Sequence, residues 1–206
     1  MQTTSFLGMS LVTFLFAGCG GVNTPGGTGG SGGGSSSSSS GGSLACETSS
    51  TSTLPGASIE FISNDCTFTL AEAAAGIQID YRVVVTNDIP NVHPTPQNTP
   101  CEGPGPSLLY VFENLGGDGQ NYCLCDLGLC QGPGPDPVTI PQGTYPASFS
   151  WDGKNWTGPS DFGNPKGAAF PLGDYTLTVS SKGDWTEAGV NKPYEVVGTA
   201  VVHLVP

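Results

Sequence analysis

Seven cysteines, two histidines, three tryptophans and seventeen carboxylates are the side chains through which this chain could do chemistry. Cys19 stands apart, directly ahead of a Gly/Ser tract. The other six, Cys46, Cys66, Cys101, Cys123, Cys125 and Cys130, lie among strand-like segments. An even set of this kind in an exported domain predicts three disulfides. The hexapeptide Cys101-Glu-Gly-Pro-Gly-Pro106 returns as Cys130-Gln-Gly-Pro-Gly-Pro135, so two similar turns flank one hairpin. Cysteines there would staple its rim, while Cys46 is expected to pair with Cys66. Cys123 and Cys125 would share one strand face, where a bond between them is strained. A metal site from Cys123, Cys125 and Cys130 with Cys101 or His93 is the alternative. Its C-x-C-x4-C spacing is not the C-x2-C of zinc sites, so neither metal nor cofactor is expected.

No catalytic residue is expected either. His93 lies in a proline-rich segment and His203 in the last apolar run, and no nucleophile elbow, H-E-x-x-H, P-loop or dinucleotide-binding glycine pattern accompanies them. The carboxylates show no spacing that singles out an acid and a base. Asp118, in GGDGQN, reads as a hairpin tip rather than a calcium loop, because the D-x-[DN]-x-[DN]-G ligand series is missing. Trp151, Trp156 and Trp185, with Tyr145 and Tyr175, could form an aromatic platform on which a sugar stacks; the same rings also suit core and turn packing. Asn155-Trp156-Thr157 fits a glycosylation sequon and says little more.

The elements that must hold these residues are strands. Ile77, Ile79, Tyr81, Val83 and Val85 alternate with polar partners, and Cys66, Phe68 and Leu70 do the same. The AEAAAG stretch between them is expected to close a β-hairpin, although its alanines also suit a helical turn. Further candidates are Leu108–Phe112, Asn121–Cys125, Ala147–Trp151, Tyr175–Val179 and Val196–Val205. Gly116 to Gly119 would turn one hairpin and Asp152-Gly153 another. The stretch 87–106 holds six prolines and is expected to be a surface loop. No window keeps a 3.6-residue apolar period. The 32 glycines and 18 prolines punctuate short strands, seven or eight of them, which points to an all-β antiparallel sandwich over residues 44–206.

Ahead of it, Phe6 to Ala17 is an apolar run too short to span a bilayer and of the length of a signal-peptide core. Phe16-Ala17-Gly18-Cys19 resembles a bacterial lipobox, with Phe16 where the usual pattern has Leu. The resemblance implies a signal peptide over 1–18 and a diacylglyceryl group on Cys19, hence a lipid-anchored envelope protein, of the outer membrane, facing periplasm or exterior. Residues 20–43, almost all Gly and Ser, cannot bury enough to offset their ordering entropy. As a coil this linker spans about 27 Å and reaches about 80 Å when extended. The net charge of -12 argues against nucleic acid as a partner. It is uneven: residues 44–151 carry eleven acids and one base, and residues 152–206 six acids and four bases. Beyond a solvated surface, that asymmetry admits a face for cations or a basic partner.

From Phe149 the chain reads FSWDGKNW and then, after an interruption, GAAFPLGDYTLTV. The order Trp151, Asp152, Gly153, Pro171, Gly173, Tyr175 is similar to the last strands of immunoglobulin-like modules of the flagellar hook-cap and bacillar intracellular proteinase inhibitor families. That resemblance implies an immunoglobulin-like sandwich with Tyr175 turned inward. The function expected is a non-catalytic, membrane-tethered module that binds an unidentified protein or glycan or serves envelope structure. The alternatives are a proteinase inhibitor using the proline-rich segment 90–106 and a carbohydrate-binding module using exposed tryptophans.

Overall fold

The apolar/polar alternation of Ile77–Val85 folds as β4, with Ile77, Ile79, Tyr81, Val83 and Val85 buried and Gln78, Asp80 and Arg82 exposed. The computed structural model that shows this describes residues 46–96, 104–123, 136–156 and 165–206. Strand β4 is the centre of a three-stranded sheet, antiparallel to β2 (Ala57–Phe61) on one side and to β9 (Gly143–Trp151) on the other. A larger sheet faces it. Its spine is the hairpin of β10 (Gly173–Glu187) and β11 (Val190–Val205), turned at Ala188 and Gly189, both at positive φ as a two-residue hairpin loop demands.

Along its other edge, β10 pairs first with β6 (Phe112–Gly117), which continues into β7 (Gln120–Cys123). Farther along, the same edge pairs with β5 (Ile89–Pro94), which in turn carries β8 (Val138–Ile140). The outer edge of β11 holds β1 (Thr48–Ser52) antiparallel and β3 (Thr67–Thr69) in parallel. The described residues thus form eleven strands and one helix, α1 (Leu70–Ala75). This is the expected all-β, antiparallel, sandwich-like class with more strands than the seven or eight expected.

Two inward faces make the core. Ile59, Ile79 and Phe149 of the small sheet meet Leu115, Leu177, Val179, Val196 and Val202 of the large one, all wholly out of water. Each such side chain contributes roughly 1.5–3 kcal/mol relative to exposure. A polar contact also bridges the layers: Tyr81 Oη donates to Glu113 Oε1 at 2.8 Å. Burial holds the Glu113 carboxyl above its ordinary range, and burial together with the nearby Glu113 pushes the Tyr81 phenol up. Cys46 and Cys66 form the expected disulfide, with Cα atoms 5.1 Å apart, joining the approaches to β1 and β3 beside β11.

Several local expectations change. The stretch 87–106 is not loop throughout, because β5 occupies Ile89–Pro94. Its ladder stays short and shifts register between Ile89 and Val92, where Asn91 has φ 56, so Pro90 takes no ladder position. The segment after Thr69 is no hairpin loop. It is α1, whose start is a capping box: Thr69 Oγ1 accepts from Glu72 N–H, and the Glu72 carboxylate accepts from Thr69 N–H at 2.7 Å. The Thr69 N–H and the Thr69 hydroxyl, both donating to it, hold the Glu72 carboxyl below its ordinary value, and α1 carries the chain from one sheet to the other. Leu108–Val111 form no strand, since β6 begins at Phe112. The expected β6–β7 hairpin is present, turning at Asp118 and Gly119.

Asp152-Gly153 turns the chain tightly after β9. Among the described residues between β9 and β10 the isolated bridges are Lys154–Ala169 and Tyr122–Trp156. Gly153 is required twice over: its φ is +76, and a Cβ there would sit 3.1 Å from the Ala73 carbonyl carbon of α1. The turn is thereby seated directly on the helix.

Candidate functional site

Where β4 begins and β9 ends, the register sets Ile77 opposite Trp151 and Gln78 opposite Ser150. Gly76, closing α1, forms one lip of an open cleft of about 400 Å³. Tyr122 of β7, 4% exposed, borders it from the other sheet, and Asp152 and Lys166 also line it. Four segments distant in sequence therefore build one recess.

An aromatic cluster lies behind it. The Tyr122 ring packs near Phe149, Trp151 and Trp156 with centroids 5.8, 6.4 and 5.9 Å away, and Phe170 joins Trp151 at 4.6 Å and Tyr175 at 4.7 Å. Offset and edge-on rings at such separations attract beyond their burial alone. Trp151 Nε1 donates to Lys154 O at 3.0 Å, which closes the turn with the indole N–H. Tyr122 Oη donates to Ser150 O at 3.4 Å. Burial first, then the negative charges of Asp152 and Glu113, pushes the Tyr122 phenol up, so it stays protonated at neutral pH.

The charged edge is one pair. Lys166 Nζ lies 2.6 Å from Asp152 Oδ2 and 5.9 Å from the Tyr122 ring centroid. Asp152 Oδ1 is buried, and no donor among the described residues reaches it. The cleft thus offers the Asp152 Oδ2–Lys166 pair, the Gln78 amide and apolar walls. It can bind and orient a polar ligand.

The tryptophans do not assemble into a platform. Trp151 is core, only 2% exposed, with no face available for stacking. Trp156 is half-buried against Tyr122. Trp185 sits elsewhere, on β10, with Lys192 Nζ 5.6 Å over its ring. Tyr145 and Tyr175 are used structurally: each phenol donates to a proline carbonyl four residues back, Pro141 O and Pro171 O, both at 2.8 Å. The histidines lie outside the cleft. His93 on β5 faces Asp184 across the ladder, and His203 Nδ1 is 2.7 Å from Asp174 Oδ1. The sequon residue Asn155 is consumed in folding, donating to Gln120 Oε1 and Ala168 O and accepting from Asn121 N–H.

Cys123 is disulfide-bonded, which removes its thiolate from the alternative metal set. Cys19, Cys101, Cys125 and Cys130 lie outside the described residues, as do residues 97–103 of the proposed inhibitory segment. Among the described residues no group of three or more His, Cys, Asp and Glu could hold a metal ion.

Reasoning from sequence did not single out Tyr122, Gln78, Ser150 or Lys166 as site residues, and no local spacing could have done so. One signal was available and unused: Pro141-Gln-Gly143-Thr-Tyr145 repeats the Pro171-Leu-Gly173-Asp-Tyr175 pattern, and both begin a strand. The chain matches no protein-family model, no curated protein and no solved structure.

Proposed function

We propose that this chain is a lipid-anchored, non-catalytic binding module of the cell envelope, held by Cys19 at the end of the Gly/Ser linker and engaging its partner through the cleft at Tyr122, Asp152 and Lys166. The observation that carries the binding role is the composition of that cleft: a preformed recess with apolar walls and a few convergent polar groups is the ordinary form of a recognition site. An immunoglobulin-like assignment of the sandwich is part of this reading. Its support is the wiring, with β2, β4 and β9 in one sheet and β5, β10 and β11 in the other, the order of strands A, B, E against C, F, G. The Tyr175 phenol bonded back to Pro171 O at the start of β10 is similar to the tyrosine corner of that fold class and adds support.

The test is a cleft-directed pull-down from the producing cell's envelope. Wild-type protein is compared with Tyr122→Ala and with a variant altered on the far side, Lys192→Ala. The reading requires a retained partner that Tyr122→Ala loses and Lys192→Ala keeps. A partner lost equally with both, or only with Lys192→Ala, overturns it.

A further inference from the structure

The Lys166–Asp152 pair differs from the other ion pairs of the fold in where it lies. Arg82–Glu60, Lys182–Glu195 and Lys192–Glu187 join residues of paired strands, across a ladder or beside a turn. Lys166 belongs to no strand. It comes from the stretch 165–168, all of it exposed, and lays its ammonium into the cleft between a carboxylate and an aromatic ring. A carboxylate beside an aromatic ring is the chemistry that receives an organic cation. We propose that this corner of the cleft is a cation subsite which the chain occupies with its own Lys166, and that an arginine side chain of a basic partner peptide displaces it. The inference rests on the cleft being the binding site.

Three observations favour a guanidinium. The ammonium of Lys166 meets Asp152 Oδ2, and Oδ1, buried and without a donor among the described residues, is a second acceptor that displacement of Lys166 must uncover. A guanidinium presents two parallel N–H groups and can meet both oxygens, which a single ammonium in this position does not. The chain also carries a net charge of -12, and four of its five bases are already paired with its own acids, so its field draws basic segments in. Finally, the Lys166 side chain is 43% exposed. An ion pair this open costs little to break, so the internal occupant weakens binding without blocking it.

The test is an NMR titration of the full chain with Nα-acetyl-arginine methylamide, following Tyr122, Ser150 and Trp151. Wild type, Lys166→Ala, Lys166→Gln and Asp152→Asn are compared, each checked for an unchanged spectrum away from the cleft. Both Lys166 variants are expected to bind about threefold to fivefold more tightly than wild type, the gain available from losing a half-exposed competitor. Asp152→Asn is expected to lose binding at least tenfold, and raised salt to weaken it in every variant. Equal affinity in wild type and both Lys166 variants, or binding that survives Asp152→Asn, overturns the proposal. Shifts at the same residues with maltotriose or acetate, indifferent to Asp152→Asn, also overturn it while leaving the cleft as the binding site.

Discussion

Glu113 is the residue whose placement has the clearest consequence. It projects from β6 into the space between the sheets, where the groups facing it are the Tyr81 phenol, bonded at 2.8 Å, and Tyr122. No cation is among the influences on its carboxyl, and burial holds it above the ordinary carboxylate value. An acid with a raised folded-state pKa keeps its proton longer in the folded than in the unfolded chain. Its contribution is therefore fully present below the unfolded value, about 4.3, and is lost as pH rises through the folded one. Glu113→Gln is expected to remove that slope. Thermal melts from pH 4 to 8 should show the variant gaining on wild type as pH rises, and parallel curves would refute the assignment. Little of this was legible beforehand: the sequence shows Glu113 as one acid among seventeen, and only the pairing of β6 with β10 turns it inward. Trp151 shows the reverse. Its place beside Asp-Gly suggested both a turn and a platform, and burial against Phe170 decides for the turn. Trp151→Ala is expected to cost about 3–5 kcal/mol in chemical denaturation.

At the scale of elements, strands with strict alternation were readable because burial on one face imposes period two. Strand β4 follows its pattern residue by residue. Strand β5 was hidden, since two of its six residues are proline and proline argues against a ladder except where its missing N–H is not needed. The helix α1 was visible only as an alternative, because six residues stabilise little helix alone. What fixes α1 is its capping box and the docking of Gly153 on Ala73. Gly153→Ala meets both a positive φ and a backbone contact, so it is expected to destabilise by about 1–3 kcal/mol and to disturb the cleft, measured as altered Tyr122 and Trp151 resonances. A variant as stable as wild type would mean that the turn is not seated on the helix. The Cys46–Cys66 bond was inferable because these cysteines lie nearest the domain's start. With a sequence separation of 20, replacing both by Ser is expected to cost about 3 kcal/mol, read as a lower denaturation midpoint with a steeper slope, since the uncrosslinked unfolded chain exposes more surface.

For the whole molecule, class came from composition and the cleft did not. Glycine and proline punctuation between alternating runs is a chain-wide property, so the sandwich class could be reasoned without any contact. The cleft joins α1, β4, β7, β9 and the stretch before β10, a meeting decided by which strands share a sheet. The proposed display on the envelope rests in turn on Cys19 and on the Gly/Ser composition of residues 20–43. Its most direct measurement is the intact mass of the mature protein purified from membranes, with Cys19→Ala in parallel. The account predicts an N-terminal Cys19 carrying a diacylglyceryl group in the wild type, and an unmodified, membrane-free protein in the variant. A wild-type chain that leaves the membrane unmodified, or that still begins ahead of Cys19, would contradict it.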